Sequence, residues 1–342
     1  MSKLQAYQEK NTQGRVRLHA NESPYHNFPL ILETTQSKLQ SIRINDYPSL
    51  NADKLKEKLA SYYNVKPSEL LFGNGSDELI TMVMQRYLQA NDVVVTHAPS
   101  FSQYAWNATL LKAQLIEVHD KANYEIDIDG LITAANDSNA KLLILCTPNN
   151  PTGALIQEKD MVKIMESTSC MVMVDEAYVD FVDQDYQAMV LSSNRMISLR
   201  TFSKAFGCAG LRFGVAISQV EIVAFLNQGR QPYNVNVLTQ FFIEALLDHI
   251  PLIEKQVQTM LINKARIQET LSELGCVLAP SKANFILFAH PEVKKIEADL
   301  YLKGFAIKGF NHLSEPYPHA RMSIPHDEEL EALISALKGI QR

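Results

Sequence analysis

The residue with the clearest capacity for covalent chemistry is Lys204, in Thr201-Phe-Ser-Lys-Ala-Phe-Gly207. A lysine amine forms Schiff bases with carbonyl compounds once burial and neighbouring cations lower its pKa enough to free the lone pair. Lys204 follows the apolar run Met196–Leu199 and is flanked by the hydroxyls of Thr201 and Ser203, by small residues, and by Gly207 and Gly210. Glycines at such positions let the backbone come close to a ligand. Arg212, further along the same segment, offers a planar guanidinium suited to a phosphate. Taken alone, a lysine in Ser-Lys-Ala is a solvated side chain, so the reading needs partners.

Three further segments supply them. Cys170-Met-Val-Met-Val-Asp-Glu-Ala-Tyr178 is an apolar run that ends in two carboxylates and an aromatic hydroxyl. A carboxylate at the end of a buried strand is costly unless paired, so Asp175 asks for a buried cation such as a protonated pyridine nitrogen. A helix N-cap or a surface salt bridge is the blander account. Lys141-Leu-Leu-Ile-Leu-Cys-Thr-Pro-Asn-Asn-Pro-Thr-Gly153 is a second buried strand, ending in a proline-fixed turn that projects amides such as Asn150. A plain connecting turn is the alternative there. Gly73-Asn-Gly-Ser-Asp77 leads from a strand into a helix, and its free N–H groups around Ser76 and Asp77 can hold an anion. Asp77 and Glu78 would repel that anion unless they point away. An ordinary helix start is the competing reading.

The elements that position these segments follow from periodicity. Candidate strands are Leu70–Phe72, Val93–Thr96, Leu115–Val118, Leu142–Cys146, Met171–Val174, Met196–Leu199 and Phe213–Ile217. Several are continuous apolar runs, as in strands covered on both faces, and helical patterns such as Leu79, Ile80, Val83, Met84, Tyr87, Leu88 lie between them. An α/β fold with a mostly parallel seven-stranded sheet is predicted, with ligands beyond the carboxyl ends of its strands. After Pro232 the texture changes. Residues 235–274 read as helical, bent or split at Pro251. A strand (Asn284–Ala289), a helix (292–303), strands at Ala306–Phe310 and Arg321–Ile324, and a helix from Asp327 make a smaller α+β unit. The division expected is an N-terminal arm with part of the small domain (1–40), a large ligand-binding domain (41–240) and a small C-terminal domain (241–342). The arm lacks the βα rhythm and should pack on the small domain or on a partner subunit.

The 342 residues carry a formal net charge of −6, which argues against nucleic acid as a partner. Cys146, Cys170, Cys208 and Cys276 are scattered and suggest buried thiols in a reducing cytoplasm. No apolar stretch is read as a signal or a membrane span. The nine histidines show no metal-ligand spacing, so no metal site is expected.

In order and spacing, these segments resemble the fold type I pyridoxal-phosphate aminotransferases, and most closely the histidinol-phosphate aminotransferase family. The resemblance extends over most of the chain. It includes Leu18-His-Ala-Asn-Glu-Ser-Pro24, Asp46-Tyr-Pro48, Ala98-Pro-Ser-Phe-Ser-Gln-Tyr104 and Arg321-Met-Ser-Ile324. It implies pyridoxal 5′-phosphate anchored on Lys204, which also shuttles the proton at the substrate's Cα. Asp175 would hold the pyridine nitrogen protonated, while Asn150 and Tyr178 bond the phenolic oxygen. Tyr104 would stack on the ring, with Phe101 the alternative. Ser76, Asp77, Thr201 or Ser203, and Arg212 would hold the phosphate. Tyr47 would reach the neighbouring subunit's phosphate in a homodimer. Arg321 would grip the substrate's carboxylate or phosphate, with Asn21 and Tyr25 lining the pocket.

Two departures bear on the substrate. Lys308 stands where the family usually has a second arginine, and a lysine offers a point charge in place of a bidentate fork. Lys308 could equally be an ordinary surface residue if the alignment has slipped. The loop 312–319 is longer than in some members, and Pro325 replaces a usual glycine. The resemblance implies an amino donor and a 2-oxo acid, best L-histidinol phosphate with 2-oxoglutarate, by ping-pong exchange. Alternatives are another specificity such as aromatic amino acids, or a phosphothreonine decarboxylase. A ligand-sensing domain of a regulator would need a basic DNA-binding segment, which is not read before Leu18. An unrelated α/β binding protein would lack the cofactor altogether.

Overall fold

The computed structural model describes residues 12–310, 313 and 316–340. Thirteen strands follow the chain: β1 (Val16–Arg17), β2 (Leu70–Asn74), β3 (Val93–Ala98), β4 (Gln114–His119), β5 (Leu142–Cys146), β6 (Met171–Asp175), β7 (Met196–Thr201), β8 (Phe213–Ile217), β9 (Val277–Leu278), β10 (Phe285–Ala289), β11 (Phe305–Ala306), β12 (Lys308–Phe310) and β13 (His319–Ser323).

Seven of them form one sheet in the order β2-β8-β7-β6-β5-β3-β4. β3 through β7 pair in parallel, and β8 runs antiparallel to both β7 and β2. Every residue of β5 and β7 is buried, because helices cover both faces. One face packs against Ser76–Tyr87, Gln103–Leu111 and Val220–Asn227 through Leu79, Ile80, Val83, Tyr104 and Leu226. The other packs against Ile128–Asp137, Glu158–Ser167 and Gln187–Ser192 through Leu131, Met161, Ile164 and Val190. With its strands buried on both sides, the sheet is left its strand ends and loops for ligands.

The smaller sheet is antiparallel, ordered β12-β13-β10-β9. It packs on the 24-residue helix Ile250–Glu273 and the helix Asp327–Lys338. Pro251 sits in the first turn of that long helix, and a 3₁₀ turn at Leu247–His249 separates it from Val237–Leu246. The predicted interruption is thus a helix start, where the missing proline N–H costs nothing.

One expectation is corrected. The run Ala306–Phe310 is two strands on different sheets: β11 pairs in parallel with β1 of the arm, while β12 pairs with β13. The chain switches partners at the fully buried Ile307. The arm also contains the helix Phe28–Leu39, with proline in its first turn. Of the loop 312–319, His312, Ser314 and Glu315 lie outside the described residues. Among the described residues no helix is long and apolar enough to cross a membrane.

Candidate functional site

A cavity of about 740 Å³ opens beyond the carboxyl ends of β5, β6 and β7 and the start of the helix Ser76–Tyr87, facing β12, β13 and the arm. Its wall includes Asn21, Ser76, Asp77, Asn150, Asp175, Tyr178, Thr201, Ser203, Lys204, Arg212, Lys308 and Arg321. The segments read separately from the sequence therefore meet in one place.

Lys204 projects from the turn after β7. Its Nζ donates to Ala20 O at 3.2 Å and lies 5.8 Å from the Tyr178 ring centroid. Burial, then the nearby Arg321 guanidinium, lower its pKa to about 8, so a sizeable fraction of the amine is uncharged near neutrality. Asp175 is the last residue of β6 and is 3% exposed. Burial pushes its carboxyl up to about 6, opposed by donors from Tyr104 O–H and Ala177 N–H. A buried carboxylate with two hydrogen bonds and no ion pair among the described residues suits a cationic ligand atom.

The opposite end of the cavity is an anion cradle. Gly75, at φ +80°, precedes the helix Ser76–Tyr87. A Cβ there would lie 2.6 Å from Arg212 Nη2, and one on Gly214 would lie 2.5 Å from Ser76 N. Glycines are thus required for β8 and Arg212 to lie against the helix start. Arg212 itself is left-handed, at φ +52°, and reaches Ser203 Oγ at 3.5 Å. Holding a non-glycine residue there costs energy that folds concentrate at functional sites. The repulsion foreseen from Asp77 and Glu78 is resolved in two ways. Asp77 pairs with Arg212 at 2.7 Å. Glu78 turns away to accept from Asn74 N–H and Asn234 Nδ2.

The third wall comes from distant parts of the chain. Arg321 on β13 is 4% exposed; it donates to Asn150 Oδ1 and, at 2.9 Å, to His19 O. Lys308 is its direct neighbour in register on β12, half-buried and on the cavity wall. Lys308 thus borders the cavity beside Arg321. Burial, then Arg321, lower its pKa. Asn21, left-handed at φ +55°, donates 2.9 Å to Tyr178 Oη, while its own buried Oδ1 has no hydrogen-bond partner among the described residues.

Three expected residues are not on the wall. Tyr104 is fully buried and spends its hydroxyl on Asp175 at 2.6 Å, whereas Phe101, the alternative, faces the cavity. Tyr104 lies inside the helix Gln103–Leu111, whose buried face packs on the sheet, so it cannot also lie over a ring in the cavity. Tyr25 borders a neighbouring hollow of about 480 Å³, its ring edge-on to His326. Tyr47 is 81% exposed and stacks on Tyr233. Sequence reasoning missed His19, Ala20 and Phe310 as wall residues. The segment beginning Leu18-His-Ala-Asn held the signal for the first two.

An amine, a buried carboxylate and an anion cradle in one cavity fit a flat aldehyde-bearing cofactor with a cationic ring nitrogen at one end and a phosphate at the other. Among the described residues no cluster suited to a metal ion is present.

Comparison with known proteins agrees with this arrangement. The chain is 34% identical over 327 residues to a histidinol-phosphate aminotransferase of Thermoanaerobacter pseudethanolicus, covering 95% of this chain and 93% of that one. It is 33% identical over 326 residues to one of Pyrococcus furiosus, covering 95% and 92%. In three dimensions it resembles the histidinol-phosphate aminotransferase of Sinorhizobium meliloti in complex with pyridoxal-5′-phosphate, with a TM-score of 0.85, 22% identity, and coverage of 96% and 92%. The L-threonine-O-3-phosphate decarboxylase of Porphyromonas gingivalis shares the fold at a TM-score of 0.79 and 20% identity, covering 94% and 98%. Residues 14–337 match the model of aminotransferase class I and II, and the chain belongs to that family.

Proposed function

We propose that the protein is a pyridoxal-phosphate-dependent aminotransferase exchanging the amino group between L-histidinol phosphate and 2-oxoglutarate. The observation that carries the reaction type is the Lys204 amine facing the same cavity as buried Asp175 and the Gly75–Arg212 cradle. When bound, the cofactor supplies an aldehyde for amine exchange and a ring that accepts electrons from the donor's Cα.

The residues then divide the work. Lys204 would anchor the cofactor and, when released, carry the proton from the donor's Cα to the cofactor's former aldehyde carbon. Asp175 would hold the ring-nitrogen end and Asn150 and Tyr178 the phenolic oxygen, with Phe101 on the wall beside them. Ser76 and Asp77 N–H groups, Thr201, Ser203 and Arg212 hold the phosphate. For the donor, Arg321 and Lys308 stand side by side on the wall formed by the small sheet. Two adjacent cations are what a phosphate-bearing donor needs, and with Asn21 they favour this donor over an aromatic amino acid.

A homodimer is the expected working unit. Exposed Tyr47 and Ile44 lie on one short segment, where they could face a second copy. The four free, buried cysteines support a reducing, cytoplasmic setting.

The test is a donor panel with 2-oxoglutarate, including histidinol phosphate, phosphothreonine and phenylalanine. Fast glutamate formation from histidinol phosphate supports the proposal. Carbon dioxide release from phosphothreonine without amino transfer would replace it with the decarboxylase reading. Sedimentation velocity tests the dimer.

A further inference from the structure

Tyr104 is an expected cofactor residue that the fold withdraws from the cavity into the core, and its new place has its own chemistry. Its ring is 1% exposed, in the same core cluster as Ile144 and Cys146. Its hydroxyl donates to Asp175 Oδ2 at 2.6 Å, while Ala177 N–H donates to Oδ1 at 3.1 Å. Each carboxylate oxygen thus has a donor from outside the cavity, which leaves the remaining lone pairs to a ligand.

We infer that Tyr104 is a positioning residue that keeps Asp175 ionised and weakly basic, so that a proton shared with the cofactor's ring nitrogen stays on the nitrogen. This rests on the cofactor reading above. Burial favours the neutral acid at Asp175, and the Tyr104 hydrogen bond is the first influence that opposes it. A hydrogen bond to the anion stabilises that form and makes it a weaker base. The weaker the base, the more fully the ring nitrogen carries the positive charge on which its electron-accepting power depends.

The other groups facing Asp175 do not compete for this role. Asp77, at the helix start, is paired with Arg212, and Glu176 accepts from Ser198 and Arg200. Both add negative charge that raises Asp175. Cys146 on β5 and Tyr178 beyond β6 are pushed well above their ordinary values by burial, so they remain neutral near physiological pH. The Tyr104 phenol is also pushed up, by burial and then by Asp175 itself. It therefore keeps its proton and acts as a donor.

The experiment compares wild-type apoprotein and Tyr104→Phe by equilibrium binding of pyridoxal phosphate from about pH 5 to 9, and by ¹⁵N NMR of ring-labelled cofactor on each protein. Without the hydroxyl Asp175 becomes more basic. The acid limb of binding should move up by about one pH unit, and the nitrogen resonance should move from the pyridinium toward the neutral-pyridine position. An unmoved limb together with an unmoved resonance overturns the inference and leaves Tyr104 as core packing.

If Tyr104→Phe fails to fold, replacing Tyr104 with 3,5-difluorotyrosine keeps the shape and strengthens the donor. The acid limb should then move down, and an unmoved limb again overturns the inference. Wild-type protein that binds no pyridoxal phosphate would overturn the cofactor reading and this inference with it, a result distinguishable from either failure at Tyr104.

Discussion

The two ends of the cavity are built on different principles. The cofactor end draws on β5, β6, β7 and the helix start at Ser76, neighbours in one buried sheet whose strand ends cannot shift independently. Its contacts are backbone N–H groups, hydroxyls and a carboxylate fixed by two hydrogen bonds. The substrate end is assembled from the arm and the small sheet against the Asn150 turn, which both ends share. One side chain, Arg321, links all three through His19 O and Asn150 Oδ1, and Asn284 adds a bond from the small-domain side to Asn21 O at 3.2 Å. On the proposed function, the parallel sheet would keep the chemistry while the separately packed wall selects the substrate. Damage at one end should leave the other largely intact.

The largest effect tests the centre that both ends share. Lys204→Ala should lower kcat by at least about a thousandfold with every donor. It should also abolish the borohydride-lockable absorbance, while pyridoxal phosphate still binds through Asp175 and the cradle. Retained turnover would mean that Lys204 is not the anchor.

Next come two variants that should separate the ends. Arg321→Ala removes a buried cation together with its hydrogen bonds to Asn150 Oδ1 and His19 O. Truncating one member of such a set costs about 3 kcal/mol, or on the order of a hundredfold in kcat/KM for a phosphorylated donor. Pyridoxal phosphate affinity should hardly change. Gly75→Ala works in the other direction: at φ +80° the new methyl is strained and pushes on the Arg212 guanidinium from 2.6 Å. About 1.4 kcal/mol, a tenfold rise in the cofactor Kd, is expected, with the donor KM nearly unchanged. Titration of apoprotein and steady-state kinetics read the two effects separately. If both variants alter both quantities equally, the division between the ends is wrong.

The same contrast explains what the sequence made legible. The seven strands of the large sheet could be read because most are short, nearly continuous apolar runs, and the proposed cofactor residues stand near the ends of several. The substrate end resisted such reading. Arg321 and Lys308 become neighbours only through the β12–β13 register. The splitting of residues 305–310 between two sheets depends on the arm strand Val16–Arg17, which has no periodic signal of its own. Tyr104 went astray for a related reason. It lies three residues after Phe101, and a helix starting at Gln103 turns the first aromatic to the cavity and the second into the core. No local pattern states where that helix begins.

Lys308 provides the smallest and sharpest test of the comparison, because its two effects have opposite signs. It faces Arg321 directly across the β12–β13 pair, and like charges so placed destabilise a sheet. Lys308→Met should therefore stabilise the apoprotein by up to about 1 kcal/mol, read as a higher urea midpoint. Burial and Arg321 hold the lysine's folded pKa below its ordinary value. Between those two values the unfolded chain binds more protons than the folded one, so wild-type stability rises with pH across that window. In Lys308→Met that rise should be shallower. The same variant should raise KM for a phosphorylated donor about tenfold, the worth of one charge-assisted bond, without changing KM for an unphosphorylated amino acid. A higher midpoint with unchanged KM would show that Lys308 crowds Arg321 without touching the donor, leaving Arg321 as the cation of the substrate end.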